Sequence, residues 1–487
     1  MKALFILFIL SISILPQNNP EFEEYFLDET LRIDYFHIGD AKTEMITIDK
    51  LFRYGVWAGS LNHLVDNLNN GKYYVMIYDA STKKLIYSKG FDTLFGEYAS
   101  SDDGVNGIVK SFHESAIIPF PKNKIVFALE KRNEQNLLDE FFRTEIDPSS
   151  IFIIKDKVSD ATVEILKPVY NGDPHTKVDI AILAEGYTKS EREKFEKDLN
   201  KFVEYFFEQE PYKSQKNNFN IYGVFKPSAE SGTDLPGADI FVNTVLNTTF
   251  WTLGSERYLM TEDNLSMRNL AAHIPYDAIY IQVNHPRYGG GGIYNQYCTY
   301  TTDNQFAKYL FTHEFGHSFT GLADEYYTSD VAYNDFFKPT VEPVEPNITA
   351  LMDAKNIKWK KYLSEGIEIP TPWEKEEFDK FSYEWLKERN RLNSFVAGLK
   401  KNRAPENEIK VAEEEYAVKD KKQSEKVDKY LMSSKYWNKV GAFEGAGYQP
   451  KGIYRPMIDC IMFSKGDKPF CKVCEEAIKE VIGSYTK

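Results

Sequence analysis

The sequence predicts a multidomain protein in which an N-terminal all-β sandwich precedes an α/β (α+β) domain that carries a helical insertion. Three observations support this prediction: short strands separated by turns before about residue 160, apolar runs that alternate with helical periodicity after it, and a Lys/Glu-rich stretch at about 373–435. The chain has 487 residues, which is more than one hydrophobic core usually accommodates.

The first 17 residues have the character of a signal peptide. A basic start at Lys2 precedes an apolar run at 3–15 that is too short to span a membrane. Ser11 and Ser13 offer a small-x-small cleavage pattern, and a cut after Gln17 is the alternative. A buried N-terminal helix is the competing interpretation. No later segment reaches transmembrane length, so we expect an exported protein (periplasmic, cell-surface or extracellular) with no integral membrane segment in the mature chain.

Residues 18–160 are predicted to form the β-sandwich. Apolar and polar residues partly alternate at 31–38, and the segments DAST at 79–82 and PKNK at 121–124 are predicted turns between strands. Short strands with such turns are typical of sandwiches. The sequence of this part contains no His/Glu cluster and no Ser/His/Asp pattern, so we expect a packing or substrate-presenting module.

Residues 161–487 are predicted to form the second domain. The run 178–184 is apolar almost throughout, as in a central strand that is buried on both faces. Helical periodicity follows at 190–207, and further strands are predicted at 220–225 and 278–283. Strands that alternate with helices indicate an α/β domain.

The charged stretch at about 373–435 is predicted to be a helical insertion in this domain. Helical periodicity covers 378–399, and the sequence NRAPEN at 402–407 breaks it, so a helical hairpin is expected. We favour a solvated, charged surface as its role. An arm that binds a partner or the substrate is the alternative.

Charge and cysteine content restrict the partners. The net charge is −14 and there is no basic patch, so no nucleic-acid partner is expected. All four cysteines (Cys298, Cys460, Cys471 and Cys474) lie in the second half of the chain. Export favours disulfides among them, and the sequence does not decide their pairing. The alternative is a four-cysteine structural zinc site, because Cys471-x-x-Cys474 has ligand spacing.

The segment 313–317 is an HExxH motif, His313-Glu314-Phe315-Gly316-His317. On a helix, this spacing places both imidazoles on one face, one turn apart. Two neutral imidazoles at that distance can bind one Zn²⁺. Glu314 lies beside them and can act as the general base that accepts a proton from water on the metal.

A glycine turn follows the motif and brings a candidate third ligand. Metzincins have the pattern H-E-x-x-H-x-x-G-x-x-H, or Asp in the last place, which would put the ligand at Ala323. In this chain Gly321 and Asp324 each lie one residue later. Gly321 suits a helix end with positive φ. A helix one residue longer would preserve the geometry, so Asp324 is the predicted third ligand. Glu325 is the alternative, or it could orient a ligand from behind.

A methionine turn is predicted far downstream, in the segment DCIMFS at 459–464. In this arrangement Met462 forms an apolar floor beneath the metal and is not a ligand. The alternative is that Met462 is an ordinary core residue.

At this point the sequence resembles the immunoglobulin-A-peptidase family of bacterial zinc metallopeptidases. The motifs that carry the resemblance span roughly 175–475, and an early stretch is similar to the β-rich N-terminal domain of that family. These stretches are HEFGHSFTGLADEY at 313–326, LAEGYT at 183–188, ESGTD at 230–234, YGGGG at 288–292, EPNIT at 345–349, FEGAGY at 443–448, YRP at 454–456 and TLRIDY at 30–35.

The resemblance implies a zinc endopeptidase with a metzincin-like core. It assigns one catalytic zinc ion to His313, His317 and Asp324, and the catalytic base to Glu314. The charged insertion at 373–435 departs from the compact family pattern, so substrate preference is not carried over.

The rest of the site is predicted from what the reaction needs. Residues 278–284 could be an edge strand that pairs with an extended substrate. The glycines of 289–292, including Gly290 and Gly291, would leave backbone exposed beside it, although they could also serve only to turn the chain. Tyr454 and Arg455 are candidate donors to the oxyanion.

Together these observations predict a secreted zinc-dependent endopeptidase that acts on a protein or peptide substrate. Two other functions compete with it. One is a non-catalytic module that binds a host or surface protein, and the other is a zinc amidase that acts on cell-wall peptides.

Overall fold

The computed structural model describes residues 20–328 and 337–486. The predicted signal peptide at 1–17 lies outside these residues. Within them, no helix combines the length and the apolar character that a membrane span requires.

The N-terminal unit contains two four-stranded sheets, in the strand orders β5-β1-β2-β8 and β4-β3-β6-β7. Leu31 and Ile33 of the first sheet and Ile77 and Phe127 of the second belong to one buried cluster, so the sheets share a hydrophobic core. The elements are α1 (Phe22–Tyr25), β1 (Phe26–Gly39), β2 (Glu44–Tyr54), β3 (Tyr73–Asp79), β4 (Leu85–Phe91), α2 (Leu94–Tyr98), α3 (Asp102–Val105), β5 (Lys110–Pro121), β6 (Ile125–Arg132), β7 (Leu138–Ile146) and β8 (Ile153–Ile154).

Both predicted turns of this unit are present. One joins two neighbouring strands of the same sheet, and the other joins strands that belong to different sheets. The turn after Asp79 joins the antiparallel neighbours β3 and β4, and the Asp79 carboxylate accepts hydrogen bonds from the backbone of Ser81 and Thr82. The turn at 122–124 joins β5 of one sheet to β6 of the other. The second turn therefore carries the chain between the two sheets.

The second unit is built on a six-stranded mixed sheet in the order β13-β14-β12-β10-β11-β9. All eight residues of β10 are buried, and β10 pairs in parallel with β11 and β12, as its apolar run predicts. The elements are β9 (Glu164–Val169), β10 (Val178–Glu185), α4 (Arg192–Glu208), β11 (Phe219–Phe225), α5 (Asn264–Ala271), β12 (Ala278–Val283), β13 (Gly290–Ile293), β14 (Tyr297–Thr301), α6 (Ala307–Thr320), α7 (Lys375–Lys401), α8 (Glu406–Met432), β15 (Phe443–Ala446), β16 (Gln449–Arg455) and α9 (Lys472–Thr486).

The strand predicted to be an edge is central. β12 lies between β14 and β10 and pairs with both, so its backbone groups are already engaged on two sides. The prediction that 278–284 is an edge strand is therefore wrong. The edge next to β14 is β13, the glycine tract itself.

The two faces of the sheet pack against different layers. Ile180 and Ile182 of β10 belong to a core with helices α4 and α6. Ala181 and Leu183, which point the other way, belong to a core with α5 and with Phe95 of the N-terminal unit. The N-terminal unit thus covers one face of the sheet while α6 lies on the other.

The insertion forms the expected helical hairpin. Helices α7 and α8 are joined by a short break at 402–405, and the hairpin is anchored at its base, where Phe378 packs on Phe463 at 5.5 Å between ring centroids. Phe463 directly follows Met462 within the predicted methionine turn, so the hairpin rises from that turn.

The expected disulfides are absent, because all four cysteines are free and buried. Cys298 lies in β14, inside the sheet, with its thiol directed to the carbonyl oxygen of Ile279. The other three cysteines lie together at a different place. The expectation of disulfides and the four-cysteine alternative both fail, since Cys298 cannot join the others.

Candidate active site

Helix α6 carries the HExxH motif and ends where the sequence predicts. Gly321 has φ of 66°, and its N–H donates to the carbonyl oxygen of His317 at 2.9 Å, while Leu322 N–H donates to that of Gly316 at 3.1 Å. This pair of hydrogen bonds is a glycine-terminated helix cap. The chain reverses there and returns Asp324 toward the histidines.

His313, His317 and Asp324 form a compact group of three donor atoms. The Nε2 atoms of the two histidines are 3.1 Å apart. Asp324 Oδ1 lies 3.1 Å from His313 Nε2 and 3.2 Å from His317 Nε2. A tetrahedral zinc ion needs donors about 3.3 Å apart. Asp324 Oδ1 is buried and has no hydrogen-bond donor among the described residues. The group therefore has the chemistry and spacing of a zinc site.

The outer ring nitrogens fix the orientation of both imidazoles. His313 Nδ1 lies 3.0 Å from the carbonyl oxygen of Ile461, and His317 Nδ1 lies 2.6 Å from that of Leu322. A carbonyl oxygen only accepts, so each Nδ1 carries the proton. Both Nε2 lone pairs then face the point between the three side chains, as metal binding requires.

Two residues outside the predicted site, Gly447 and Tyr448, hold the loop that carries Asp324. Tyr448 donates its hydroxyl to Asp324 Oδ2, and Gly447 N–H donates to the Asp324 carbonyl oxygen at 2.9 Å. Burial acts to raise the pKa of Asp324, but the neighbouring histidines outweigh it and lower that pKa well below its usual range. The only sequence signal for Tyr448 was its place in the FEGAGY stretch, which gives no role.

Glu325 points away from the histidines. Its Oε1 accepts a hydrogen bond from Asn347 Nδ2 at 3.1 Å, and the side chain is fully buried among cysteines. Asn347 also binds the Ala323 backbone N–H through Oδ1 at 2.8 Å. The structure therefore brings Asp324, and not Glu325, to the two histidines.

Glu314 faces the cleft beside the edge strand. A methyl group added to Gly290 would lie 3.2 Å from Glu314 Cγ, and one added to Gly292 would lie 2.4 Å from the Glu314 carbonyl oxygen. Burial raises the pKa of the Glu314 carboxyl above its ordinary value. Because a side chain at Gly290 or Gly292 would collide with Glu314, the glycine tract is required for α6 to lie this close to the sheet edge.

Met462 lies beneath the motif helix. It is fully buried, and a methyl group added to Gly316, between the two histidines, would come within 3.0 Å of its sulfur. Two backbone carbonyl oxygens of this segment contact neighbouring residues. The carbonyl oxygen of Ile461 faces His313 Nδ1, and the carbonyl oxygen of Met462 accepts a hydrogen bond from Glu325 N–H at 2.8 Å. Met462 therefore packs under the helix that carries the HExxH motif, and its role as a methionine turn stays a prediction.

Tyr454 and Arg455 lie away from the cleft. Arg455 is fully buried, and its guanidinium donates to the carbonyl oxygens of Gly445 and Ile458 at 2.7 and 3.2 Å. Tyr454 pairs through its backbone with Thr349. This placement argues against the expected oxyanion role, because neither side chain lines the cleft.

A cleft of about 920 Å³ passes over His313, Glu314, His317 and Asp324. Three parts of the chain form its walls: the second unit supplies the site, the N-terminal unit adds one wall and the helical hairpin adds another. Wall residues include Lys72, Asp92 and Arg132 of the N-terminal unit and Ser382, Trp385 and Arg389 of the hairpin. The hairpin is therefore more than a solvated surface, and the alternative of a substrate-contacting arm gains support.

With this geometry in place, comparisons with known proteins define the class. The family model described as IgA Peptidase M64 matches residues 165–482, and the model described as Peptidase M64 N-terminus matches residues 21–143. No curated protein matches the chain. The protein is thus a peptidase, a class of hydrolase, with an N-terminal domain followed by the peptidase domain. More particularly, the chain belongs to the IgA peptidase M64 family, whose class implies a metal ion.

Proposed function

We propose that this protein is a secreted zinc-dependent endopeptidase with a metzincin-like core behind an N-terminal β-sandwich. The observation that carries the proposal is the group of His313, His317 and Asp324, with inward-facing lone pairs, beside Glu314 at the floor of a large cleft. Support for export comes from the signal-peptide character of residues 1–17.

His313, His317 and Asp324 would hold a zinc ion, which would supply Lewis-acid chemistry toward water and the peptide carbonyl. Glu314 removes a proton from the attacking water and delivers it to the leaving amine nitrogen. Burial of the Glu314 carboxyl favours the first of these two transfers, because a raised pKa makes the carboxylate a stronger base toward water.

The substrate is proposed to bind as an extended strand along β13. Gly290 is already engaged on its outer side, since its N–H donates to the Arg257 carbonyl oxygen and its carbonyl accepts from Leu259 N–H. In an antiparallel ladder the next outward-facing position is two residues on, which is Gly292. Gly292 is half-buried and lines the cleft. Its backbone groups would therefore pair with substrate directly beside Glu314.

Tyr448 replaces Tyr454 and Arg455 as the proposed oxyanion donor. Its side chain lines the cleft, and its hydroxyl lies against Asp324. The hydroxyl has a single proton, so it would turn from Asp324 Oδ2 to donate to the carbonyl oxygen of the scissile bond as negative charge develops there.

The cleft supports an endopeptidase acting on a protein chain. Its walls come from three parts of the chain, and β13 offers a sheet edge along which an extended peptide segment can lie. Immunoglobulin A is the first substrate to test, because the family carries that name.

The test compares Glu314→Ala with the wild type for zinc content and for cleavage of a protein library that includes immunoglobulin A. We expect zinc to be retained and the turnover number to fall by about 10²–10⁴-fold, the usual contribution of a general base. Glu193→Ala, at an exposed position of helix α4 that does not line the cleft, is the matched control. Equal cleavage by Glu314→Ala and wild type would contradict the mechanism.

A further inference from the structure

A second cluster of metal-binding side chains lies behind the candidate active site. It consists of Glu325, Cys460, Cys471 and Cys474, all buried, with one donor atom from each lying within 4.8 Å of the others. Cys474 Sγ is 3.4 Å from Cys471 Sγ, 3.9 Å from Cys460 Sγ and 3.3 Å from Glu325 Oε1. Donors on a tetrahedral zinc ion with sulfur ligands are about 3.8 Å apart, so the cluster is close to that size.

The buried Glu325 carboxylate is the feature of the cluster that points to a cation. Its side chain is fully buried, and its Oε2 has no hydrogen-bond partner among the described residues. Arg455 interacts with it electrostatically, but the Arg455 N–H groups that form hydrogen bonds donate to backbone carbonyl oxygens. Oε1 accepts from Asn347, but burial of the other carboxylate oxygen without a partner is costly. A metal ion among the three thiols would remove this cost.

Backbone N–H groups are directed at the sulfur atoms. Cys460 Sγ faces the N–H of Cys471 at 3.1 Å and that of Met462 at 3.5 Å, and Cys471 Sγ faces the N–H of Cys474 at 3.5 Å. The last pair lies at the start of the 15-residue helix α9, where the helix dipole favours negative charge. Such donors stabilise thiolates, and the thiolate is the form of cysteine that binds metal.

We propose that Cys460, Cys471, Cys474 and Glu325 bind a second, structural zinc ion. Soft thiolates with one carboxylate suit zinc. Because all four ligands are protein groups and are buried, the site is closed to water and substrate. The ion would connect three segments that frame the active site: the loop that supplies Asp324, the methionine turn, and helix α9. The inference does not depend on the catalytic mechanism.

The decisive experiment measures the second site in a variant that lacks the first. His313→Ala/His317→Ala, reconstituted with zinc and freed of loose metal, is analysed by metal content and by X-ray absorption at the zinc edge. We expect about one zinc per chain with a shell dominated by sulfur at about 2.3 Å. Absence of zinc, or a shell of nitrogen and oxygen only, overturns the proposal.

Thiol counting separates this site from a disulfide between Cys471 and Cys474. The wild-type protein is unfolded in denaturant and chelator without reductant, and its thiols are titrated. The proposed site yields all four cysteines as free thiols, as they are in the structure. Loss of two thiols that reductant restores would show a disulfide and overturn the proposal.

A pair of cysteine variants tests the ligand assignment. Cys474→Ser is expected to lower total zinc from about two ions to about one per chain, whereas Cys298→Ser, equally buried but outside the cluster, is expected to keep both. Should Cys474→Ser fail to fold, Glu325→Gln, which preserves side-chain shape, is used in its place. Unchanged zinc in a folded ligand variant contradicts the assignment.

Discussion

Asp324 and Glu325 are adjacent in the chain, yet they belong to two different donor clusters. Asp324 joins two histidines at the floor of a cleft, whereas Glu325 joins three cysteines in the closed interior. A metal ion with an open coordination position can bind water or substrate and take part in a reaction. A metal ion whose ligands are all protein groups can only stabilise the fold. The comparison teaches that ligand type alone does not define a catalytic metal site, because access to the cleft separates the two clusters.

The strongest test of this comparison is the pair Asp324→Asn and Glu325→Gln. We expect Asp324→Asn to abolish measurable cleavage and to weaken binding of the catalytic zinc by more than about 100-fold, the upper end for loss of an outer partner. Glu325→Gln is expected to keep the catalytic zinc and to weaken the sulfur site.

Replacement of zinc by cobalt allows the two sites to be distinguished by absorption spectroscopy in these variants. A thiolate-to-cobalt charge-transfer band should persist in Asp324→Asn and weaken in Glu325→Gln, because only the second site contains sulfur. The reverse pattern would show that the two carboxylates have been assigned to the wrong clusters.

Tyr448→Phe distinguishes an oxyanion donor from a residue that only orients Asp324. We expect a fall in turnover number of about 10²–10³-fold with zinc affinity nearly unchanged, as for loss of one oxyanion donor. Steady-state kinetics measure the turnover number, and zinc titration measures the zinc affinity. A drop in zinc affinity of about 10–100-fold with little change in turnover at saturating zinc would assign Tyr448 to ligand orientation instead.

Gly292→Ala tests the close approach of helix α6 to the sheet edge. The added methyl group would lie 2.4 Å from the Glu314 carbonyl oxygen and 3.0 Å from His317 Cβ, so the helix must shift. We expect a loss of about 1–3 kcal/mol in the free energy of unfolding and reduced cleavage, measured by denaturant titration and by kinetics. Gly398→Ala is the control, because it lies in helix α7 with open space around it.

The open site was predictable from sequence because its parts are close together in the chain. The HExxH spacing fixes the two imidazoles on one helical face, and Gly321 fixes where the helix ends. Asp324 follows within one turn. Met462 lies far downstream, and its prediction came from matching the motif to a known arrangement.

The closed cluster could not be predicted because it is assembled from three distant segments. The predicted export favoured disulfides, and nothing in the sequence shows that Cys298 is enclosed in β14 while Glu325 takes its place beside the other three cysteines. Strand order is non-local in the same way. An apolar run such as β12 predicts burial, but it does not show which strands flank it, so the edge of the sheet was expected at β12 and lies at β13.

Anomalous diffraction at the zinc edge from crystals of the wild-type protein tests the central claim most directly. We expect one peak within about 2.0–2.2 Å of His313 Nε2, His317 Nε2 and Asp324 Oδ1, and a second within about 2.3 Å of the sulfur atoms of Cys460, Cys471 and Cys474. Zinc-loaded crystals that show no peak between the two histidines and Asp324 would contradict the assignment of the active site.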